Sequence, residues 1–469
     1  MKKIHTILYI AALIWTVTTG CSKDLDINTN PNQVTVPPLN GLLASSTYNT
    51  SYNIYRVSNI TSYYVQYLAS PNANGATDTY EVTDYSATWK ALYHNMADLH
   101  DLMTQATASG ASQHLGVAEV MMAINLEMLN DLWGQVPYTQ AFDVNILQPA
   151  YTPDDSLLTY CVRLLDDGIA QLGKANAKYN LDASKDLLHG GKPAAWIKTA
   201  YTVKGRILNH LTRKAAYDPA AVLAAIANGY TDNKDDAQLV RFQALSPWNQ
   251  AAVNNENLSL DGWLSAHFVN ALNGKTFGVF DPRLPLITDT TKFGDYRGTI
   301  NGAGRIGTGT NKEECYLSTK GFYSKPGAPV LVATHAECRF IEAEAAFRSG
   351  NKAQAYQAYV RGITASMDKI GVPVNLRDAY LLNPAVGVGA GAITLDLIMK
   401  EKYVAQFLHP DTWNDARRFD YRYKDFNMPV NAQLDTFVRR VAYPDSEKSR
   451  NGANVPNIKM TDKIWWDGL

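Results

Sequence analysis

Residues 334–370 read THAECRFIEAEAAFRSGNKAQAYQAYVRGITASMDKI and predict two antiparallel helices. Apolar residues recur at helical spacing in Thr334–Arg348 and again in Ala353–Ile370. Gly350 lies between the two segments, where a glycine is typical of a helix end. Small alanines in both segments allow the two helices to approach closely. The pattern therefore predicts a tight helical hairpin.

The same periodicity predicts further helices along the chain. The clearest is Leu115–Trp133, which carries a wide apolar stripe and ends at Gly134. Because several helices follow one another after short turns, we expect an all-α dominated fold with tetratricopeptide-like pairs. No strict period of about 34 residues accompanies them. The other predicted helices are Trp89–Leu102, Ser156–Leu172, Trp196–Arg213, Ala220–Asn228 and Thr394–Phe407.

Two loop-rich tracts interrupt the helical pattern. One runs from Ala69 to Ser86 and the other from about Leu245 to Val330, where glycine is frequent. Long irregular loops on a helical scaffold usually carry function. We therefore expect the functional site on these loops.

The N-terminus has the pattern of a lipoprotein signal. Lys2 and Lys3 precede an apolar run, Ile7–Val17, and small residues then lead to Cys21. Such a run is shorter than the ~20 residues of a membrane helix. We therefore predict a signal peptide at 1–20, with Cys21 as the lipid attachment site that anchors the protein to the membrane. A tether at 21–38 and a single domain at 39–469 complete the predicted organisation.

The charge balance excludes several partners. The chain has 43 Lys and Arg against 44 Asp and Glu. This near neutrality argues against nucleic acid and against a basic surface that binds anionic lipid. Charged residues make up only 19%, whereas 27 Tyr and 9 Trp occur. A polar, weakly charged and aromatic surface is typical of proteins that bind neutral, hydroxyl-rich ligands.

The remaining cysteines carry no metal or redox motif. Cys161 and Cys338 lie in helical patterns among apolar neighbours and favour buried free thiols. A disulfide between Cys315 and Cys338 stays open from sequence alone. No cofactor is predicted, and a structural ion such as calcium is left open.

Aromatic residues in or beside the loops are the candidates for ligand binding. Aromatic faces stack on the C–H faces of sugars, although packing onto the helical body is the alternative for each residue. Trp263 stands in a polar surround, Asn257–Gly262, and is the strongest candidate. The full set is Trp263, Trp248, Tyr80, Tyr85, Tyr296 and Tyr323.

The sequence gives little support for a catalytic or nucleotide-binding motif. Gly302–Gly307 matches G-x-G-x-x-G, but loop-like residues flank it where a strand and a helix are required. Adjacent acids such as Asp154-Asp155 do not establish the paired carboxyls of a glycosidase. We expect no catalytic residues. The alternatives are a lipid-anchored glycoside hydrolase and a tetratricopeptide-type protein-binding adaptor.

Collinear segments along nearly the whole chain resemble the SusD/RagB family of outer-membrane lipoproteins, and specifically its SusD-like branch. No single segment is decisive, but their order is specific. One departure is His335, where the family more often has tyrosine. The segments are Leu25–Asn32, Trp89–Leu99, Asn130–Tyr138, Asp281–Pro285, His335–Ala345, Trp413–Arg418, Arg439–Pro444 and Lys463–Asp467.

The resemblance implies a helical fold with an irregular, loop-built face. It also implies a location at the cell surface and a partner, a SusC-like TonB-dependent barrel. The lipoprotein would cover that barrel as a lid and capture an oligosaccharide or a peptide. Trp413–Arg418 is expected to form a buried cluster of charged and aromatic residues rather than a ligand site.

Overall fold

The fold is built from helices that pack in sequential pairs. A computed structural model describes residues 37–175, 177–257, 261–307 and 312–468. Leu39–Leu469 forms one compact unit. In the described ranges, no helix is both long enough and apolar enough to cross a membrane. The α-helices there are α1 (Leu39–Tyr64), α2 (Ser86–Ser109), α3 (Ser112–Trp133), α4 (Asp154–Leu172), α5 (Pro193–His210), α6 (Pro219–Ala227), α7 (Pro247–Glu256), α8 (Ala266–Leu272), α9 (His335–Arg348), α10 (Lys352–Ile370), α11 (Val374–Leu382), α12 (Gly389–Ala392), α13 (Leu395–Ala405), α14 (Asp411–Arg418) and α15 (Asp445–Arg450).

The described strands are short and form two-stranded antiparallel ladders. β1 pairs with β5, so that Leu68 faces Leu264 and Ala69 faces Trp263. β2 pairs with β3, and β4 pairs with β6. Each ladder joins segments that lie between helices. The strands are β1 (Leu68–Ala69), β2 (Val136–Pro137), β3 (Tyr151–Thr152), β4 (Ala237–Leu239), β5 (Trp263–Leu264) and β6 (Val330–Ala333).

The structure confirms the predicted hairpin at α9 and α10. Thr334 and Glu337 form a capping box at the start of α9, in which each side chain accepts a bond from the other's backbone N–H. Gly371 ends α10 with a φ of 89°. The helices touch at Gly362, where a Cβ atom would lie only 2.8 Å from the ring of Phe340. A larger residue at this position would therefore force the Phe340 ring to move.

The other predicted helices are also present. α3, α4, α5, α6 and α13 start and end within three residues of their predicted bounds. Consecutive helices pack on one another from α1 to α6, and α9 then packs on α6 and α10. One expectation needs correction, because α7 and α8 lie inside the tract 245–330 that was expected to be irregular.

Helix α1 buries many polar side chains beside its apolar ones. Thr47 Oγ1 donates to the carbonyl of Leu43 one turn earlier, at 2.9 Å. Asn53 and Asn95 each donate a side-chain bond of 3.1 Å to Oδ1 of Asn125, which joins α1, α2 and α3. Buried polar groups are tolerated when they are hydrogen-bonded. Periodicity alone therefore gave no bounds for this 26-residue helix.

A buried charge cluster joins α9, α13 and α14. We call it the Arg418 cluster; it consists of Glu344, Lys402, Asp415 and Arg418, all buried. Arg418 lies 2.5 Å from a Glu344 oxygen and 2.6 Å from an Asp415 oxygen. Lys402 Nζ lies 2.8 Å from the other Asp415 oxygen. This confirms the expected buried cluster in Trp413–Arg418 and fixes three helices together.

The three described cysteines are buried free thiols. Cys161, Cys315 and Cys338 form no disulfide with one another. The Cys315–Cys338 pair that the sequence left open is therefore not bonded.

Glu119, a buried acid of α3, should make the stability of the folded chain depend on pH. Burial, with Asp167 adding to it, raises the pKa of Glu119 to about 8. The unfolded value is about 4.3, so between these two pH values the folded chain holds the proton more tightly, and the free energy of unfolding falls as pH rises. We expect Glu119→Gln to melt at a higher temperature than the unsubstituted chain at pH 9 but not at pH 4. Glu81→Gln, at an exposed acid, is the control. If the melting temperatures of Glu119→Gln and the unsubstituted chain differed by the same amount at pH 4 and pH 9, the expectation would be refuted.

Candidate functional site

The irregular face is organised around the buried carboxylate of Asp78. One oxygen accepts the backbone N–H of Ser70 at 2.8 Å and that of Gly302 at 3.0 Å. The other accepts Asn301 Nδ2 at 2.7 Å. Asp78 therefore joins the loop after β1 to the loop near residue 300. Bonds from N–H groups to a carboxylate are among the stronger hydrogen bonds in proteins.

Two glycines of the Gly302–Gly307 segment allow close backbone contact. Gly302 has a φ of 85°, and a Cβ atom there would collide with the carbonyl oxygen of Val430. Gly304 has a φ of 75°, and its Cβ atom would collide with the backbone nitrogen of Ala73. Both positions therefore require glycine, because L side chains rarely adopt positive φ and no space is left. Loop packing accounts for both residues.

A cavity of about 380 Å³ opens where these loops meet. We call it the loop-junction cavity. Its volume lies within the range of small-ligand sites. Four separate segments contribute to it: the second residue after α1, α8 with the turn that follows it, the loop near residue 300, and the segment before Val430. Its lining consists of Gln66, Ser265, Ala266, His267, Asn270, Lys275, Thr276, Ile300, Asn301, Asp425, Asn427, Met428 and Pro429.

Hydrogen bonds between segments hold the wall of the loop-junction cavity. Ser265 caps α8 and donates its hydroxyl to Asn301 Oδ1 at 2.6 Å. Gln66 donates its amide to the carbonyl of Asn427, also at 2.6 Å. Because Asn301 in turn bonds Asp78, the wall is fixed to the rest of the loop face. A site that is held this way loses little entropy when a ligand binds.

The lining of the cavity combines polar and apolar surface and is nearly neutral. Side-chain amides and hydroxyls form six of its thirteen residues, and one cation, Lys275, is matched by one anion, Asp425. His267 packs with its ring 4.8 Å from that of Phe426. Burial lowers the pKa of His267 to about 4, so the imidazole is neutral at physiological pH. Neutral donors and acceptors suit a ligand rich in hydroxyl groups.

A second, larger cavity has different chemistry. It measures about 590 Å³ and lies between α11 and the segment 278–286. Phe280, Leu286 and Leu376 are typical of its apolar lining. Such a surface offers few partners to hydroxyl groups, so the loop-junction cavity is the better candidate for a sugar site.

Four of the six aromatic candidates lie in the protein interior. Trp263 is 2% exposed, and its indole N–H donates to Asn255 at 2.9 Å. Trp248 packs edge-on against Tyr55. Tyr80 and Tyr323 are also buried. The expectation of a surface setting for Trp263 is therefore corrected: strand pairing at β5 buries the ring and leaves no face for a sugar.

The other two candidates are partly exposed. Tyr85 shares a hydroxyl–hydroxyl contact of 3.1 Å with Tyr64. Tyr296 lies 6.0 Å from the ring of exposed Phe280. Neither residue lines the loop-junction cavity. Their role in binding stays a prediction.

Sequence reasoning missed the residues that line the cavity. Gln66, Asn270 and Asn427 stand in no motif, and each lies in a different segment. One local signal was available, because Ser265 before an apolar turn is typical of a helix N-cap. That signal marks a helix start and not a ligand site.

Comparisons with known proteins place the chain in a family. The sequence profile of a SusD-like family, described as starch-binding and associating with the outer membrane, matches residues 31–444. No curated protein matches the chain.

Solved structures share the fold. A chitin-binding SusD homologue from Flavobacterium johnsoniae is 20% identical, with 91% of this chain and 98% of that chain covered and a TM-score of 0.75. A SusD homologue from Parabacteroides distasonis is 21% identical, with 92% and 98% covered and a TM-score of 0.75. A SusD/RagB protein from Bacteroides thetaiotaomicron is 19% identical, with 92% and 99% covered and a TM-score of 0.73. With the profile match over most of its length, the chain belongs to the SusD-like family of starch-binding proteins that associate with the outer membrane.

Proposed function

We propose that the protein captures an oligosaccharide at the loop-junction cavity and delivers it to a SusC-like TonB-dependent barrel, which it covers as a lid. It makes and breaks no covalent bonds. The observation that carries this proposal is the cavity itself: a neutral, amide-lined space at the loop face of a starch-binding family member. The chitin-binding activity of one structural relative supports a saccharide ligand over a peptide.

The lining explains how a sugar would be bound. The amide groups of Gln66, Asn270 and Asn427 each offer donors and acceptors for hydroxyl groups. Ile300 and Met428 add apolar surface for the C–H faces of a ring. Each hydrogen bond contributes only about 0.5–1.5 kcal/mol net. Affinity is therefore expected to be micromolar or weaker.

Anchorage is part of the proposal. Cys21 and the tether up to residue 36 lie outside the described residues, so the lipid attachment rests on sequence. A tether that holds the binding domain beside a membrane barrel raises its effective concentration there, into the millimolar range for a short flexible linker. Capture and transfer then occur at the same place.

The binding site can be tested with two amide residues. We expect the double variant Asn270→Ala/Asn427→Ala to bind at least about tenfold more weakly, because it loses about two hydrogen bonds. Isothermal titration calorimetry with maltoheptaose and with chitohexaose measures the affinity. Asn228→Ala, at an exposed asparagine at the end of α6, is the matched control.

Two outcomes would count against the proposal. Equal affinity in the double variant and the control would remove the loop-junction cavity as the site. Shorter oligosaccharides in the mixture after incubation, detected by chromatography, would favour the hydrolase alternative.

A further inference from the structure

Three buried carboxylates surround a very small cavity in the protein centre. Glu127 of α3, Asp131 of α3 and Asp411 of α14 line a space of about 10 Å³, which is close to the volume of a single bound atom or water. Each of these side chains has one oxygen without a hydrogen-bond partner among the described residues. An unpartnered carboxylate oxygen in a protein interior costs several kcal/mol. A partner shared by these side chains would reduce that cost.

A histidine beside the cavity, though not part of its lining, contacts two of these carboxylates. His210 of α5 is buried, and its Nε2 lies 2.7 Å from Asp411 and 4.0 Å from the unpartnered oxygen of Glu127. One atom from each of Glu127, His210 and Asp411 lies within 4.8 Å of the others. Nδ1 of the same imidazole is also without a partner. Arg206 is bonded to the second oxygen of Glu127 and leaves the first one unpaired.

With its four carboxylates ionised, its two guanidinium groups charged and His210 neutral, as a metal ligand requires, this region carries two negative charges. The adjoining Arg418 cluster is balanced within itself, with two acids and two bases. A divalent cation would bring the region to neutrality. The groups counted are Glu127, Asp131, Glu337 and Asp411 against Arg206 and Arg417.

We propose that Glu127, His210 and Asp411 bind one divalent first-row metal ion of the Mn²⁺ or Zn²⁺ type. Carboxylate oxygens with one imidazole nitrogen are ligands that such ions accept, at about 2.0–2.2 Å for Zn²⁺. Two ligands of a tetrahedral ion with such bonds lie about 3.3–3.6 Å apart. The Nε2–Asp411 pair at 2.7 Å must therefore open, and the Nε2–Glu127 pair at 4.0 Å must close, each by less than about 1 Å. The ion would join α3, α5 and α14. This role goes beyond ligand capture.

Metal content and stability test the proposal together. After dialysis against EDTA and reloading with Mn²⁺ or Zn²⁺, we expect about one ion per unsubstituted chain, measured by inductively coupled plasma mass spectrometry. Glu127→Gln keeps the shape of the side chain but removes the anionic ligand, so it should hold close to none and melt at a lower temperature. Glu119→Gln is the matched control, because Glu119 is a buried acid of the same helix with an unpartnered oxygen. It should bind the metal at the ratio of the unsubstituted chain.

Two results would overturn the proposal. In the first, the unsubstituted chain holds no metal after reloading, and Glu127→Gln is as stable as it is. This result would show that protons neutralise the cluster. The other is equal metal content in Glu127→Gln and the unsubstituted chain. If Glu127→Gln does not fold, X-ray absorption of the loaded unsubstituted chain decides the question. An oxygen and nitrogen shell with one imidazole is expected, and a sulfur ligand or no imidazole would refute the site.

Discussion

Arg418→Ala is expected to lower the free energy of unfolding by about 3–5 kcal/mol, because it leaves buried carboxylates without their partner. Arg418 holds Glu344 at 2.5 Å and Asp415 at 2.6 Å, and none of these side chains reaches solvent. Burial alone would raise the pKa of Glu344, but Arg418, with Arg348, holds it well below the ordinary value. Without Arg418, part of this stabilisation of the charged form is lost. For a typical domain stability of about 5–15 kcal/mol, the loss is a large fraction of the total.

Urea unfolding followed by circular dichroism measures the effect. Arg297→Ala is the control, since Arg297 forms an exposed ion pair with Asp295 at 2.6 Å. Exposed pairs contribute about 0–1 kcal/mol, so the control should unfold close to the unsubstituted chain. If Arg418→Ala unfolded together with the control, the Arg418 cluster would not stabilise the junction of α9, α13 and α14.

Cys21→Ser is expected to release the protein from the membrane and to abolish glycan uptake. Each buried CH₂ group of an acyl chain contributes about 0.8 kcal/mol to membrane binding. The Cys21→Ser protein carries no acyl chain and loses all of this contribution. The near-neutral chain has no net positive charge that would attract it to anionic lipid in place of the acyl chains. Ligand affinity should stay unchanged, because the loop-junction cavity lies wholly within the domain that begins at Leu39.

Cell fractionation, uptake of labelled oligosaccharide and calorimetry on the released protein together check this expectation. Ser22→Ala, next to the predicted attachment residue, is the control and should stay with the membrane. Uptake that persists with a fully released protein would rule out a tethered lid.

Periodicity predicted the helices whose buried faces are apolar. α3 and the α9–α10 hairpin follow this rule, and the sequence shows their ends through Gly134 and Gly350. α1 does not follow it, because its buried face carries Ser, Thr and Asn. Some of these residues bond partners on other helices, as Asn53 does with Asn125, and only a structure shows which partners meet.

The site was less predictable than the fold. Trp263 stands among polar neighbours in sequence, yet pairing of β5 with β1 places it in the interior. Local polarity does not report which segment will cover a side chain. Gln66 and Asn427 are separated by 361 positions and meet only because the loops fold together. No spacing rule could bring such residues into one prediction.

The bonds that Asp78 accepts have a consequence for how such a protein changes over evolution. Two of the three come from backbone N–H groups, at Ser70 and Gly302, and so do not depend on which side chains stand there. Asn270, Lys275 and Ile300 of the lining take no part in these bonds. If the cavity binds a sugar as proposed, mutations at these three positions can therefore alter which sugar is preferred while the loop framework persists. One ancestral scaffold could in this way acquire new ligand preferences by substitutions at a few positions.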